Sequence, residues 1–386
     1  MSIGVIRFEM STPADCAALL AVLESIDARR ASRLAIIAKT EGTATVNDFG
    51  RSLATLAIQT ALERANVTAP CQVILSMGCE GIITPGGYLF VDMPERDDGI
   101  EGLALGMAYS DPMAPSDLVN DRHIAITRAT VDRAIADAGI GAKDVALVFA
   151  KSPLLTHAMA AGLPAEARER ANRSSAARAA AALGIGVALG EIAADAANSA
   201  AIGRRADLYS RRAMVFSGTE TARTEIIVLG NRPGEHQSVR SGLFADLLDV
   251  DSMAAVIAGT SGEPFQAVRR MKSGGHLAAV FLKAGLAADG KLRGNRTTVF
   301  SSEVDPDKQM RAAASGVLGS LLGDTRMFVS GGAEHQAPMG GGVLAVISAS
   351  ETPWGGHDQI ASRTSGPHAA AIHPGAARTD TSINHK

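Results

Sequence analysis

The chain has 386 residues, of which 46% are hydrophobic and 20% charged, enough apolar material for a sizeable core and more than one structural unit. A formal net charge of −3 lacks the basic footprint of a nucleic-acid binder. No apolar run approaches the roughly 18 to 20 residues of a membrane span. The start, MSIGVIRFEMSTPADC, lacks the charged and apolar regions of an export signal, so a cytoplasmic protein is expected. Cys16, Cys71 and Cys79 form neither an even framework nor a CxxC pair, as expected of reduced thiols.

Taken in order, the predicted elements repeat. The first is an apolar strand ending in lysine, RLAIIAKTEG at Lys39; it recurs as VALVFAKSPL at Lys151 and LAAVFLKAGL at Lys283. Five or six apolar residues in a row suit a buried strand. Each is followed by a helix rich in small residues with an arginine near its start, at Arg51, Arg178 and Arg311. Arginine runs against the dipole preference of a helix N-terminus, so these guanidiniums are read as placed for a partner. Arg173 is also present, but Arg178 keeps better register with the third copy. A second strand then ends in serine with a glutamate shortly after: Ser76 and Glu80, Ser217 and Glu220, Ser330 and Glu334. A last apolar strand closes each unit, read as GLALGMAYS, EIIVLGN and VLAVISA.

The order Lys, Arg, Ser therefore occurs three times, with loops of differing length. The expected organisation is repeat unit A at 1–110, unit B at 111–240, unit C at 241–350, and a polar Gly/Pro-rich tail at 351–386. The fold class expected is α/β, three similar strand–helix–strand units packed about a common axis.

Such a centre gathers hydroxyls, ammoniums and guanidiniums. A serine needs a base within hydrogen-bond reach, and a desolvated lysine crowded by cations loses enough pKa to serve. Backbone N–H groups after each serine suit carbonyl oxygens or an oxyanion, and arginines suit further carbonyls or an anionic ring. The pattern fits hydrolysis of an amide in a small flat ring bearing carbonyls. A phosphate cradle fits worse: no GxxxxGK[ST] occurs, and in GGAEHQAPMGGG the glutamate repels phosphate and the proline lacks an N–H. The glutamates after each serine either tune the lysines or tie down their loops. The second is preferred, since three free buried carboxylates are costly. His335 is read as structural, and Cys79 as a plain buried residue. A non-catalytic binder of a planar metabolite is the alternative from another class.

The segment VSGGAEHQAPMGGG, together with AKTEG and VND in the first repeat, resembles the cyclic amide hydrolase family of cyanuric acid hydrolases and barbiturases. The resemblance covers roughly residues 3 to 350. It implies a pseudo-three-fold α/β fold of the Toblerone type with a central active site, in a homotetramer that opens cyanuric or barbituric acid by a Ser–Lys dyad. It pairs Lys39 with Ser76, Lys151 with Ser217 and Lys283 with Ser330, and it makes Ser217 the nucleophile and Lys151 its base. Arg51, Arg178 and Arg311, with the serines and Met77, Gly218 and Gly331, would hold the ring oxygens. No cofactor is required for the chemistry. A structural Mg or other cation is implied at Ala333, Gln336, Ala337, Pro338 and Gly341, where the family's completing glutamate is here Gly285. Ser76-Met77-Gly78-Cys79-Glu80 also departs from the family's common Ser-Gly-Gly-Thr-Glu, so a different ring is an open alternative.

Overall fold

The computed structural model describes residues 2–43, 48–94, 96, 99–273 and 275–349. The expected tail at 351–386 and the Val46–Asn47 part of VND lie outside them.

Three four-stranded sheets carry the fold. The first contains β1 (Ile3–Glu9), β2 (Arg33–Thr40), β3 (Cys71–Met77) and β4 (Gly86–Asp92). The second contains β5 (Leu103–Tyr109), β6 (Val145–Pro153), β7 (Ala213–Gly218) and β8 (Glu225–Asn231). The chain continues through β9 (Val239–Phe244), β10 (Leu277–Ala284), the short ladder β11 (Lys291–Leu292) and β12 (Asn295–Arg296), then β13 (Phe328–Gly331) and β14 (Gly342–Ser348). The third sheet is β9, β10, β13 and β14. All three share one topology: in spatial order the unit's first strand lies beside its last, then its second, then its third. The second and third strands are parallel, the other pairings antiparallel. A parallel pair needs a crossover, which explains the helix between the Lys-ended and Ser-ended strands of every unit.

The strand Leu103–Tyr109, expected to close the first unit, instead pairs with β8 and opens the second. The first sheet closes with Gly86–Asp92, so the change of sheet falls upstream of residue 110. Likewise Val239–Phe244 pairs with β14 and opens the third sheet. An apolar run looks the same whichever sheet takes it. The partner decides.

Among the described residues the α-helices are α1 (Ala17–Ser25), α2 (Gly50–Arg64), α3 (Asp121–Ala138), α4 (Ala165–Ala171), α5 (Ser174–Ala188), α6 (Val250–Ala258), α7 (Pro264–Ser273) and α8 (Pro306–Leu322). Their ends follow local chemistry. Asn120 caps α3 by accepting from Arg122 and His123 N–H, and α3 stops at Gly139 with φ 66°. Asp305 caps α8, Pro306 opens it and Gly323 ends it. In α5 alanines and glycines let the helix lie close on its sheet, with Ala177 and Ala179–Ile185 buried.

Each sheet has one face covered by its own helices, in three separate apolar clusters. The opposite faces meet in a central cluster drawing Ile37, Phe90, Phe149, Leu229, Phe281 and Val343 from all three sheets. Phe281 packs edge-on against Tyr88 and Phe149, with centroids 5.0 and 4.9 Å away. Side chains also bridge the units: Gln72 Nε2 donates to Ile226 O, Ser241 Oγ to Ala146 O and Tyr88 Oη to Arg326 O. This is the pseudo-three-fold arrangement expected from the repeats. Among the described residues no helix is long and apolar enough to cross a membrane.

Candidate active site

Strands β2, β6 and β10 end at one end of the central cluster, and their lysines are buried there: Lys39 is 1% exposed, Lys151 2% and Lys283 1%. Each lysine reaches into the next unit in one rotational sense. Lys39 Nζ lies 5.5 Å from the Phe328 ring centre, Lys283 Nζ lies 4.6 Å from that of Phe216, and Lys151 Nζ donates to Leu75 O at 3.0 Å. Burial holds all three below the ordinary lysine range, and arginines add to the effect. Lys39 and Lys151 come down to about 8, and Lys283 is held well below its usual value.

The arginines run the other way round the axis. Arg51 of the first unit bonds Glu220 of the second at 2.8 Å. Arg178 of the second grips Glu334 of the third with bonds of 2.8 and 2.7 Å. Arg311 of the third grips Glu80 of the first at 2.6 and 2.7 Å. Burial alone would raise these carboxyls, but Arg311 and Arg178 hold Glu80 and Glu334 low. Glu220 is held low by Lys151, at 2.5 Å, and by Arg51. The glutamates therefore bind the preceding unit's arginine, a role missed in the sequence because the partners are 156 to 231 residues apart.

Two of the three expected Lys–Ser pairs are hydrogen-bonded. Lys39 stands opposite Ser76 in the β2–β3 register, with Nζ 3.4 Å from Oγ and 3.1 Å from Met77 O. Lys283 stands opposite Ser330, 3.5 Å from Oγ and 2.7 Å from Gly331 O. The third expected pair is corrected. Lys151 stands opposite Phe216, and Ser217 lies opposite Ser152. Among the described residues no hydrogen bond joins Lys151 to Ser217. Ser217 Oγ is instead 2.5 Å from Ser174 Oγ at the start of α5, and Arg178 also donates to Ser174. Adjacent strand residues point to opposite faces, so with Phe216 turned to the centre, Ser217 is turned towards the helix.

Spacing to the glutamate carries the same assignment. Glu80 and Glu334 follow their serines by four positions; Glu220 follows Phe216 by four and Ser217 by three. In this register Gly78, Gly218 and Gly332 are equivalent, and each lies against a carboxylate or guanidinium of the Arg–Glu ring that joins the units. A Cβ at Gly78 would fall 2.8 Å from Glu80 Oε2, at Gly218 on the Glu220 carboxylate, and at Gly332 on the Arg178 guanidinium. The residues expected to hold ring oxygens beside the serines therefore divide. Gly331 has its carbonyl on Lys283, while Gly218 is shifted one place from Met77 and Gly331. Met77 is buried with its side chain against Gly42, and its carbonyl is taken by Lys39.

The expected cation loop is built for itself. Gln336 Oε1 accepts from Val215 N–H at 2.7 Å, and its Nε2 donates to Gly332 O and Glu334 O. The carbonyls of Ala333, Pro338 and Gly341 accept backbone N–H groups. Gly285 carries no side chain, so this position offers no carboxylate. Carbonyls already engaged in hydrogen bonds, without a carboxylate, are a poor ligand set for a hard divalent cation. His335 Nε2 accepts from Gly203 N–H at 2.8 Å and its Nδ1 lies 2.5 Å from Leu208 O, so it pins the neighbouring loop. Burial pushes the Cys79 thiol up to about 11, away from thiolate chemistry.

This geometry meets its counterparts among known proteins. The family described as amidohydrolase ring-opening protein matches residues 4–349. A cyanuric acid amidohydrolase of Ectopseudomonas oleovorans is 36% identical over 365 residues, covering 90% of this chain and 99% of its own. A cyclic amide hydrolase of Azorhizobium caulinodans is 33% identical over 366 residues, covering 90% and 99%. The crystal structure of a cyanuric acid hydrolase from A. caulinodans superposes with a TM-score of 0.77 at 32% identity, covering 91% of this chain and 99% of that one. The chain belongs to the ring-opening amidohydrolase family.

Proposed function

We propose that this ring-opening amidohydrolase hydrolyses one amide bond of a six-membered cyclic imide or ureide, the ring class of cyanuric and barbituric acid, held on the pseudo-three-fold axis. The observation that carries the reading is the convergence of three buried lysines, two of them on serines, inside a ring of Glu-held arginines. The relatives named for cyanuric acid and cyclic amides support it.

The reacting pair proposed is Lys283 with Ser330, since Lys283 Nζ reaches Ser330 Oγ at 3.5 Å and burial and Arg178 hold this lysine well below its ordinary range. Neutral Lys283 Nζ takes the Ser330 Oγ proton as Oγ bonds to a ring carbonyl carbon, and the carbonyl electron pair moves to oxygen. Collapse breaks the C–N bond, and the proton on Nζ passes to the leaving ring nitrogen. The opened ring is then an ester on Ser330. A water gives its proton to Lys283 and attacks that ester. The C–O bond breaks, Ser330 recovers the proton, and the opened acid leaves. Lys39 with Ser76 would hold a second carbonyl, and the arginines would fix the ring by charge.

The family resemblance extends the proposal to a cytoplasmic homotetramer whose chemistry needs no cofactor. Sedimentation tests the assembly, and turnover unchanged after EDTA dialysis tests the independence from metal.

Turnover of a panel of cyclic imides, followed by loss of ring absorbance in wild type and in Ser330→Ala, Ser76→Ala and Ser217→Ala, tests the reading. Ser330→Ala should lose on the order of 10³-fold or more in kcat; Ser217→Ala should stay within about tenfold. Turnover surviving in Ser330→Ala moves the nucleophile elsewhere. Rings that raise Tm without being opened would make the chain a binder.

A further inference from the structure

The second unit departs from the three-fold plan at one place that faces the centre. Where the register puts Ser76 and Ser330 in the other units, it puts Phe216 here, opposite Lys151 and four positions before Glu220. Phe216 is 5% exposed and belongs to the central cluster. Its ring packs edge-on against Phe328 at 5.5 Å, and Lys283 Nζ lies 4.6 Å from its centre. The ring therefore lies beside the Lys283–Ser330 pair. Ser217 does not replace the missing hydroxyl, being bonded to Ser174. Lys151, which has no serine opposite, is bonded to Leu75 O and Glu220.

We propose that Phe216 sets the ring specificity of the site: the substrate carries carbonyls at two alternate corners of a six-membered ring and an apolar carbon, bare or alkyl-substituted, at the third. This rests on the cyclic-amide reading above and narrows it. A ring on a three-fold axis presents its alternate corners to three units. Two of those units here offer a hydroxyl and a lysine. The third offers an aromatic surface in place of the hydroxyl, and its lysine is taken by Leu75 O and Glu220. A carbonyl turned to it would be stripped of water and left unpaired, which costs on the order of tenfold or more in binding. A methylene or alkyl group at that corner buries apolar area on the same ring instead. Glutarimide and dihydrouracil have this two-carbonyl pattern; cyanuric and barbituric acids, with three alternate carbonyls, do not.

The experiment uses the full-length chain, wild type and Phe216→Ser, with those four rings. It measures kcat/KM by turnover and Kd by calorimetry. The wild type should favour the two-carbonyl rings at least tenfold. Phe216→Ser should cut that preference at least tenfold, chiefly by improving the three-carbonyl rings. Phe216→Leu, which keeps the site apolar, should preserve it. A wild type that prefers cyanuric or barbituric acid overturns the proposal, as does a preference unchanged in Phe216→Ser. Should Phe216→Ser not fold, the wild-type preference decides alone. Absence of turnover on all four rings defeats the hydrolase reading, and the Kd ratios then decide this one by the same thresholds. Binding of none of the four overturns it.

Discussion

Arg311 of the third unit holds Glu80 of the first through two parallel hydrogen bonds, 2.6 Å to Oε2 and 2.7 Å to Oε1. With Arg51–Glu220 and Arg178–Glu334 it closes a ring in which every unit is tied to the next. A bidentate fork of this kind fixes direction as well as distance. It therefore holds the serine-bearing loop of one unit against the helix of another.

Glu80→Gln should destabilise the chain by about 2 kcal/mol in urea unfolding, between the ~0–1 of an exposed pair and the ~3–5 of breaking a buried one. The side chains, 14% and 21% exposed, stand between those cases. Arg311→Lys keeps the charge but loses the fork, and kcat/KM should fall with little loss of stability. A Glu80→Gln loss below about 0.5 kcal/mol would remove the pair from the account of the fold.

The three strands ending in Lys39, Lys151 and Lys283 were legible because a buried run stopped by a charge has few other readings. The helices with Arg51, Arg178 and Arg311 were legible for a similar reason, since an arginine at the wrong end of a helix dipole implies a partner. The partner itself was not, because nothing local marks a contact between residues 231 apart. The sheet taken by Leu103–Tyr109 was equally hidden, as pairing depends on a strand more than a hundred positions downstream. The second-unit register was different. Aligning on Ser217 concealed it, whereas the fixed distance from Phe216 to Glu220 would have exposed it.

The pH dependence of kcat/KM should show whether a buried lysine is the base. It reports groups of the free enzyme, and a lysine base must be neutral, so activity falls as pH drops through its pKa. Burial holds all three lysines below the ordinary range, Lys39 and Lys151 at about 8. With a buried lysine as base the acid limb should lie well below the ordinary lysine value of about 10.4. A limb near that ordinary value would remove the three buried lysines from the role.

Burying Lys39 has a thermodynamic signature of its own. Its folded pKa is lowered to about 8, so between that pH and about 10.4 the unfolded chain binds the extra proton and stability rises with pH. Below pH 8 the folded ammonium carries its full penalty. Lys39→Met removes the titration. The stability of Lys39→Met relative to wild type should therefore be highest below pH 8 and fall by up to about 3 kcal/mol by pH 10.5. The hydrogen bonds lost to Met77 O and Ser76 shift that difference by a constant, so its slope is the readout. A difference independent of pH from 7 to 10.5 would show that Lys39 titrates as an ordinary lysine.

Gly332 combines a left-handed backbone, φ 74°, with a position where a Cβ would overlap the Arg178 guanidinium. Gly139, which ends α3 at φ 66°, has nothing within 4 Å of the same point. Gly139→Ala should thus show the backbone cost alone, about 1 kcal/mol, with activity unchanged. Gly332→Ala should cost more, and it should also lower kcat/KM by about tenfold or more, because Arg178 must leave Glu334 or the loop must move away from Ser330. Urea unfolding and steady-state kinetics on both variants separate the two effects. Equal stability losses with unchanged kinetics would mean that the loop after Ser330 tolerates displacement, and that the Arg178–Glu334 fork does not position the nucleophile.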